Sequence, residues 1–317
     1  MKQKRWWVFL LLGSLLLSSC GTTAAGRDTE AETITEISIE ISTETEYSAE
    51  PEPQDPAKEL RDPVRIAVLD SGISTAAIDP ESLEGGLNLI KPLSDTGDTI
   101  GHGTAVASII VGSEAAEVDG ICPRAVLIPL VYCAEDYLGR TVNADAATVG
   151  ELIREAVDTF HCDIINISAA SATDDSSLRE AVEYALEQGV IVITCAGNTN
   201  LTTPDNIYYP GAYEGVICVG SVNGEGEVSD FSQRGDFLDF VAPGEDLPVA
   251  TIEGERTSVT GTSFAAAYVT GMAANILSDN PDLRQHPESL REILKEQARD
   301  INEQGWDAAS GWGILER

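Results

Sequence analysis

Nearly unbroken apolar runs, alternating with amphipathic helical patterns, restrict the fold of this chain more than any other feature. Val64 to Leu69, Val126 to Cys133, Asp163 to Ile167 and Val190 to Thr194 are short stretches rich in valine, isoleucine and leucine. A strand with one wet face alternates apolar and polar residues; a continuous run is buried on both faces, as in parallel sheets covered by helices. After the second run, Val149, Leu152, Ile153, Ala156, Val157 and Phe160 recur at helical spacing. After the third, Leu178, Ala181, Val182, Ala185 and Leu186 do the same. Ser177-Leu178-Arg179-Glu180 reads there as a capping box and Gly189 as the stop. Such βαβ units predict an α/β fold, a mostly parallel sheet with helices on both faces of a single domain.

The first residues do not share this texture. Lys2, Lys4 and Arg5 followed by apolar Trp6 to Leu17 have the build of a secretory signal, too short for a membrane span. The stretch ends Leu17-Ser18-Ser19-Cys20-Gly21, which resembles the lipobox of bacterial lipoproteins. That resemblance implies a signal peptide over 1–20, lipidation of Cys20 and anchoring outside the cytoplasm on the bacterial cell membrane. Residues 21–60 hold eleven acidic residues against Arg27 and Lys58. So few apolar side chains do not offset chain entropy, and an acidic, disordered tether is expected there. Within it, Ile37, Ile39 and Ile41 alternate as a short strand would. The folded domain is then expected to span 61–317.

A formal net charge of −34 excludes nucleic acid as a partner. Beyond Cys20, the cysteines Cys122, Cys133, Cys162, Cys195 and Cys218 are odd in number and show no metal-binding spacing. They read as small buried hydrophobes without a redox role. No cofactor or metal site is assigned. The loop from Ser113 to Gly120, with Glu114, Glu117 and Asp119, has the charge for calcium without the regular spacing of oxygen ligands.

Chemistry near neutral pH most often needs histidine, and the chain has three. His286 lies in a polar turn and reads as solvated; His161 follows a helix and reads as a cap of its last carbonyls. His102, in Gly101-His102-Gly103-Thr104, opens a helix between two glycines that leave its ring approachable. Ser263, in Gly261-Thr262-Ser263, opens a second, alanine-rich helix running from Phe264 to Leu277. Alone it is an ordinary N-cap, but a helix start also offers free N–H groups to an oxyanion. Asp70 and the segment Ala196-Gly197-Asn198 fall at the carboxyl ends of strand runs, where open α/β sheets bind ligands.

The order Asp, His, Ser and the flanking residues together resemble the subtilisin-like serine peptidases. The resemblance rests on Val68-Leu69-Asp70-Ser71-Gly72-Ile73, His102-Gly103-Thr104, Gly261-Thr262-Ser263 and Ala196-Gly197-Asn198, in family order, and covers about residues 63 to 315. It implies a catalytic triad of Asp70, His102 and Ser263, with Asn198 in the oxyanion hole and a peptide or protein as substrate. Ser168, Ala169, Ala170, Ala196 and Gly197 are the implied substrate-binding segments. A rival reading keeps the fold and makes the chain a catalytically silent, peptide-binding lipoprotein. Departures from the family pattern are Phe264, Ala267 and Tyr268 after the serine, and Ala170 where glycine is common. A methyl at Ala170 predicts a narrowed cleft and a restricted substrate range. The stretch before the domain is too short and polar for the folding-assistant propeptide usual in the family.

Overall fold

The computed structural model describes residues 63–317, with the exception of Tyr137. The expected signal peptide, Cys20, the tether and the Ile37–Ile41 alternation lie outside the described residues. Chain order begins with β1 (Arg65–Asp70), β2 (Leu87–Asn88), α1 (His102–Val111), β3 (Gly112–Ser113) and β4 (Val118–Asp119). It continues through β5 (Val126–Val131), β6 (Cys133–Glu135), β7 (Thr141–Asn143), α2 (Ala146–Asp158), β8 (Ile164–Ile167) and α3 (Ser176–Glu187). β9 (Ile191–Cys195), β10 (Ile217–Val222), β11 (Phe240–Pro243), β12 (Leu247–Ala250) and β13 (Arg256–Val259) follow, then α4 (Thr262–Asp279) and α5 (Pro287–Gln297).

Seven strands form one sheet in the order β11-β10-β9-β8-β1-β5-β2, and every pairing in it is parallel. The expected α/β architecture is therefore present. Successive β1 residues explain why the apolar runs lack alternation. Ile66 and Val68 enter the core shared with α1 and α4, while Ala67 and Leu69 enter the core shared with α2 and α3. Both cores are dry: Ile66, Leu69, Ile110, Leu152 and Ile153 have essentially no exposed surface. Each such side chain contributes about 1.5–3 kcal/mol through burial.

Two boundaries differ from those expected. The second apolar run stops as a sheet strand at Val131: Tyr132 N–H makes the last rung to the Asp70 carbonyl (3.1 Å), its own carbonyl accepts the Ala144 N–H (2.7 Å), and the chain enters the β6–β7 hairpin. Cys133 therefore sits half-buried in the hairpin, in contrast to the other four cysteines; none of the five is disulfide-bonded. The cap of α3 is Asp175, whose carboxylate accepts from the Ser177 and Leu178 N–H groups, so Ser177 is already inside the helix. Asp175 carries the extended backbone of an N-cap, and its carboxylate suits the positive end of the helix.

β1 has β5 on one side and β8 on the other, so successive crossovers leave it in opposite directions. That divergence opens a crevice beyond its carboxyl end. Asp70 ends β1 there.

Candidate active site

Side-chain parity along β1 aims Asp70. Ile66 and Val68 face α1 and α4, and the next residue of that parity is Asp70, so its carboxylate points toward the starts of those two helices. His102 is the first residue of α1. Its Nδ1 lies 2.8 Å from Asp70 Oδ1 and 2.9 Å from Oδ2. The N-cap Gly101 has φ +102°, a conformation only glycine adopts at no steric cost. Gly103 is required by proximity: a Cβ there would lie 2.3 Å from the Gly72 carbonyl and 3.1 Å from Asp70 Cβ. Glycine is what lets the start of α1 meet the end of β1.

The buried carboxylate decides the state of the imidazole. Burial of His102 by itself lowers its pKa, but the charge of Asp70, its hydrogen bond and the charge of Asp98 outweigh this and hold it above the usual value. Asp70 Oδ1 also accepts the Ser71 N–H at 2.8 Å. A carboxylate has no donor to offer, so Nδ1 carries the proton and Nε2 is left as the basic nitrogen.

Ser263 lies in the first turn of α4 and is 8% exposed. Its hydroxyl donates to the Ser168 carbonyl (3.0 Å), and Ser168 Oγ donates back to the Ser263 carbonyl (2.9 Å). Buried Asn166 holds this reciprocal pair: its Nδ2 donates to Ser168 Oγ, and its Oδ1 accepts from Thr270 Oγ1, both at 2.9 Å. The His102 ring packs on Phe264, the residue after Ser263, with centroids 5.3 Å apart. Among the described residues the ring is hydrogen-bonded to Asp70 alone. Catalytic hydrogen bonds are often long or absent before substrate binds.

Asn198 follows β9 and is exposed to the crevice. Its Oδ1 accepts from both Thr262 N–H and Thr262 Oγ1, each at 2.9 Å. A backbone N–H can only donate, so this contact settles which end of the amide is oxygen and leaves the Nδ2 donors toward the crevice. The Ser263 N–H, in the first helical turn, has no intrahelical acceptor. Two donors thus stand beside the serine.

Of the substrate-binding segments, Ser168 meets Ser263 directly, and the Gly197 N–H bonds Thr262 Oγ1 at 3.2 Å. Ala196 is fully buried. Ala169 and Ala170 are both partly buried, Ala169 against the α2/α3 core and Ala170 against the α1/α4 core. Cys195 Sγ lies 4.0 Å from Ser263 Oγ. Burial pushes its thiol up to about 11, which leaves it protonated and unsuited to be a nucleophile near neutral pH. His161 Nδ1 donates to the Val157 carbonyl (3.2 Å), as a helix-end cap, and His286 is exposed beside Glu288.

The loop considered for calcium is the β3–β4 hairpin. Two of its carbonyls accept from guanidinium groups, Glu117 from Arg256 and Gly120 from Arg317 at 3.2 Å, and Arg317 also reaches the Ile121 carbonyl just beyond it at 3.2 Å. Among the described residues no cluster of three or more His, Cys, Asp or Glu is arranged for a metal. Asn166, the orienting role of Thr262 and the contacts of Asp98 were not found by sequence reasoning. Each acts through partners distant in the chain.

The family model for the subtilase family (Peptidase S8) matches residues 61–313. The chain is 31% identical over 257 residues to the minor extracellular protease Epr of Bacillus subtilis (strain 168), covering 80% of this chain and 38% of Epr. It is 32% identical over 244 residues to the major intracellular serine protease of the same organism, covering 74% of this chain and 75% of that one. The structure of the patellamide maturation protease PatA superposes with a TM-score of 0.65 at 28% identity, over 80% of this chain and 93% of that one. Matched motifs, parallel sheet and converging helix starts agree: the chain belongs to the subtilase family.

Proposed function

We propose that this protein is a serine endopeptidase that cleaves peptide bonds through an acyl-enzyme, with Asp70, His102 and Ser263 as its triad. One observation carries the reading: Asp70 holds His102 through Nδ1, and the ring packs on Phe264, the residue after Ser263 at the start of α4. His102 takes the Ser263 proton as Oγ attacks the scissile carbonyl, then gives it to the leaving amine. Asp70 stabilises the imidazolium, and Asn198 Nδ2 with the Ser263 N–H receives the oxyanion. Water repeats the sequence on the acyl-enzyme. A fluorophosphonate probe tests this: folded wild type becomes labelled, and Ser263→Ala does not. Absence of label on folded wild type would support the silent peptide-binding reading, which the resting Ser263–Ser168 hydrogen bond favours.

Asn198→Ala is expected to lower kcat about 10²–10³-fold with little change in KM, the cost known for the corresponding donor in subtilisin itself. Steady-state kinetics on a chromogenic peptide measure it. A change confined to KM would remove Asn198 from the oxyanion hole. The reading also places the enzyme on the outer face of a bacterial membrane, carried by lipid on Cys20 and the acidic residues 21–60. Cys20→Ala should then release active protein into the medium, detected by fractionating cells and supernatant. Retention of the variant on membranes would rule out the lipid anchor.

A further inference from the structure

Asp98 lies in the loop before α1, four residues ahead of His102, and its carboxylate accepts five hydrogen bonds. Oδ1 takes Ser71 Oγ at 2.9 Å and the N–H groups of Ile100 and Gly101 at 2.8 Å each. Oδ2 takes the Thr104 N–H at 2.9 Å and its hydroxyl at 2.7 Å. Ser71 Oγ in turn accepts the Gly103 N–H at 3.0 Å, and Thr104 Oγ1 accepts the Ser74 N–H at 3.1 Å. Both peptide neighbours of His102 are thereby fixed, Gly101 by Asp98 itself and Gly103 through Ser71. The same carboxylate ties the segment after Asp70 to the first turn of α1. The N-cap Gly101 has no side chain to do this.

We propose that Asp98 is a positioning residue for the Asp70–His102 pair: it clamps the end of β1 to the start of α1 and places a second negative charge beside the imidazole. This rests on the triad reading above. Oriented groups lose rate steeply when misplaced by as little as an ångström, and the clamp acts on the two segments whose separation sets the 2.8 Å Asp70–His102 contact. The charge of Asp98 acts in the same direction as that of Asp70, raising His102. From β6, the Cys133 thiol faces both carboxylates and is pushed up to about 12 by burial and by them. Tyr132 is pushed well above its usual value by burial, Asp70, Cys133 and Cys195. Both stay neutral across the working range, and the α4 side presents Ser263 and the uncharged Phe264 ring. Asp70 and Asp98 are therefore the charges that bear on His102.

Asn in place of Asp98 must turn its NH₂ toward one of two sets of donors, so it breaks the clamp while nearly preserving volume. The test is kinetics of Asp98→Asn and Ser71→Ala, with rates divided by the sites that a fluorophosphonate labels. For Asp98→Asn we expect kcat per labelled site to fall about ten- to a hundredfold at nearly constant KM. The acid limb of kcat/KM should move to lower pH. Ser71→Ala cuts the link to Gly103 but keeps the charge, so kcat falls less and the limb stays where wild type has it. Normal kcat per site and an unmoved limb in Asp98→Asn, with any loss appearing only as fewer labelled sites, would overturn the proposal. If Asp98→Asn cannot be obtained folded, Ser71→Ala decides: a fall in kcat at constant KM supports it, and wild-type kcat overturns it. Wild type that takes no label would instead sink the triad reading itself.

Discussion

Ser263→Ala is expected to lower peptide turnover roughly 10⁶-fold in kcat, the size of the loss that subtilisin itself shows for its serine. The nucleophile cannot be replaced by a neighbour. Cys195, 4.0 Å away, is held protonated by burial, and Ser168 is engaged with the Ser263 carbonyl. The fold should survive the change. Alanine removes one hydroxyl and its hydrogen bond to the Ser168 carbonyl, worth about 0.5–1.5 kcal/mol. Thermal unfolding of the variant should therefore stay close to that of wild type while turnover vanishes. Substantial hydrolysis by purified, folded Ser263→Ala would show that another group attacks the substrate.

Asp70→Asn should cost roughly 10⁴-fold in kcat, as the same change does in another serine protease triad, with KM nearly unchanged. Here the geometry dictates how the damage arises. The Ser71 N–H, 2.8 Å from Oδ1, demands an acceptor at that position, so the asparagine oxygen stays there. The NH₂ then falls at the place of Oδ2, 2.9 Å from His102 Nδ1. Nδ1 then faces this NH₂ as well as the oxygen it shares with the Ser71 N–H, so the tautomer with its proton on Nε2, where it blocks the base, gains over the productive one. Steady-state kinetics measure the loss, and the imidazole N–H resonances in NMR report the tautomer. A variant with near wild-type kcat would mean that Asp70 does not set the tautomer of His102.

The expected architecture was readable because burial on both faces leaves a strong mark. Ile66 to Leu69 had to be apolar at every position once two cores flank β1. Triad candidates were readable because glycine and polar residues interrupt those runs at strand and helix ends. What escaped lacks a local signature. Asn166 sits inside a strand and meets Thr270 from 104 residues away; nothing near it distinguishes a network member from a polar accident. Asp98 shares its polar loop with a second acid, Asp95, and only folding reveals five donors around it. The α3 cap was misplaced by two residues because Asp175 and Ser177 are both good caps, and the extended backbone of Asp175 decides between them.

The parallel sheet also bears on when activity can exist. Its neighbours β1 and β8 pair Ile66 with Ile164, and Ser168 meets Ser263 across 95 residues. Such distant contacts close late and slowly during folding. Every candidate catalytic group hangs on one of them, so a partly folded chain holds no assembled nucleophile and base. On the proposed reading, such a chain is harmless to its own unfolded copies while it folds, and acquires its cutting power only when it is no longer an easy target.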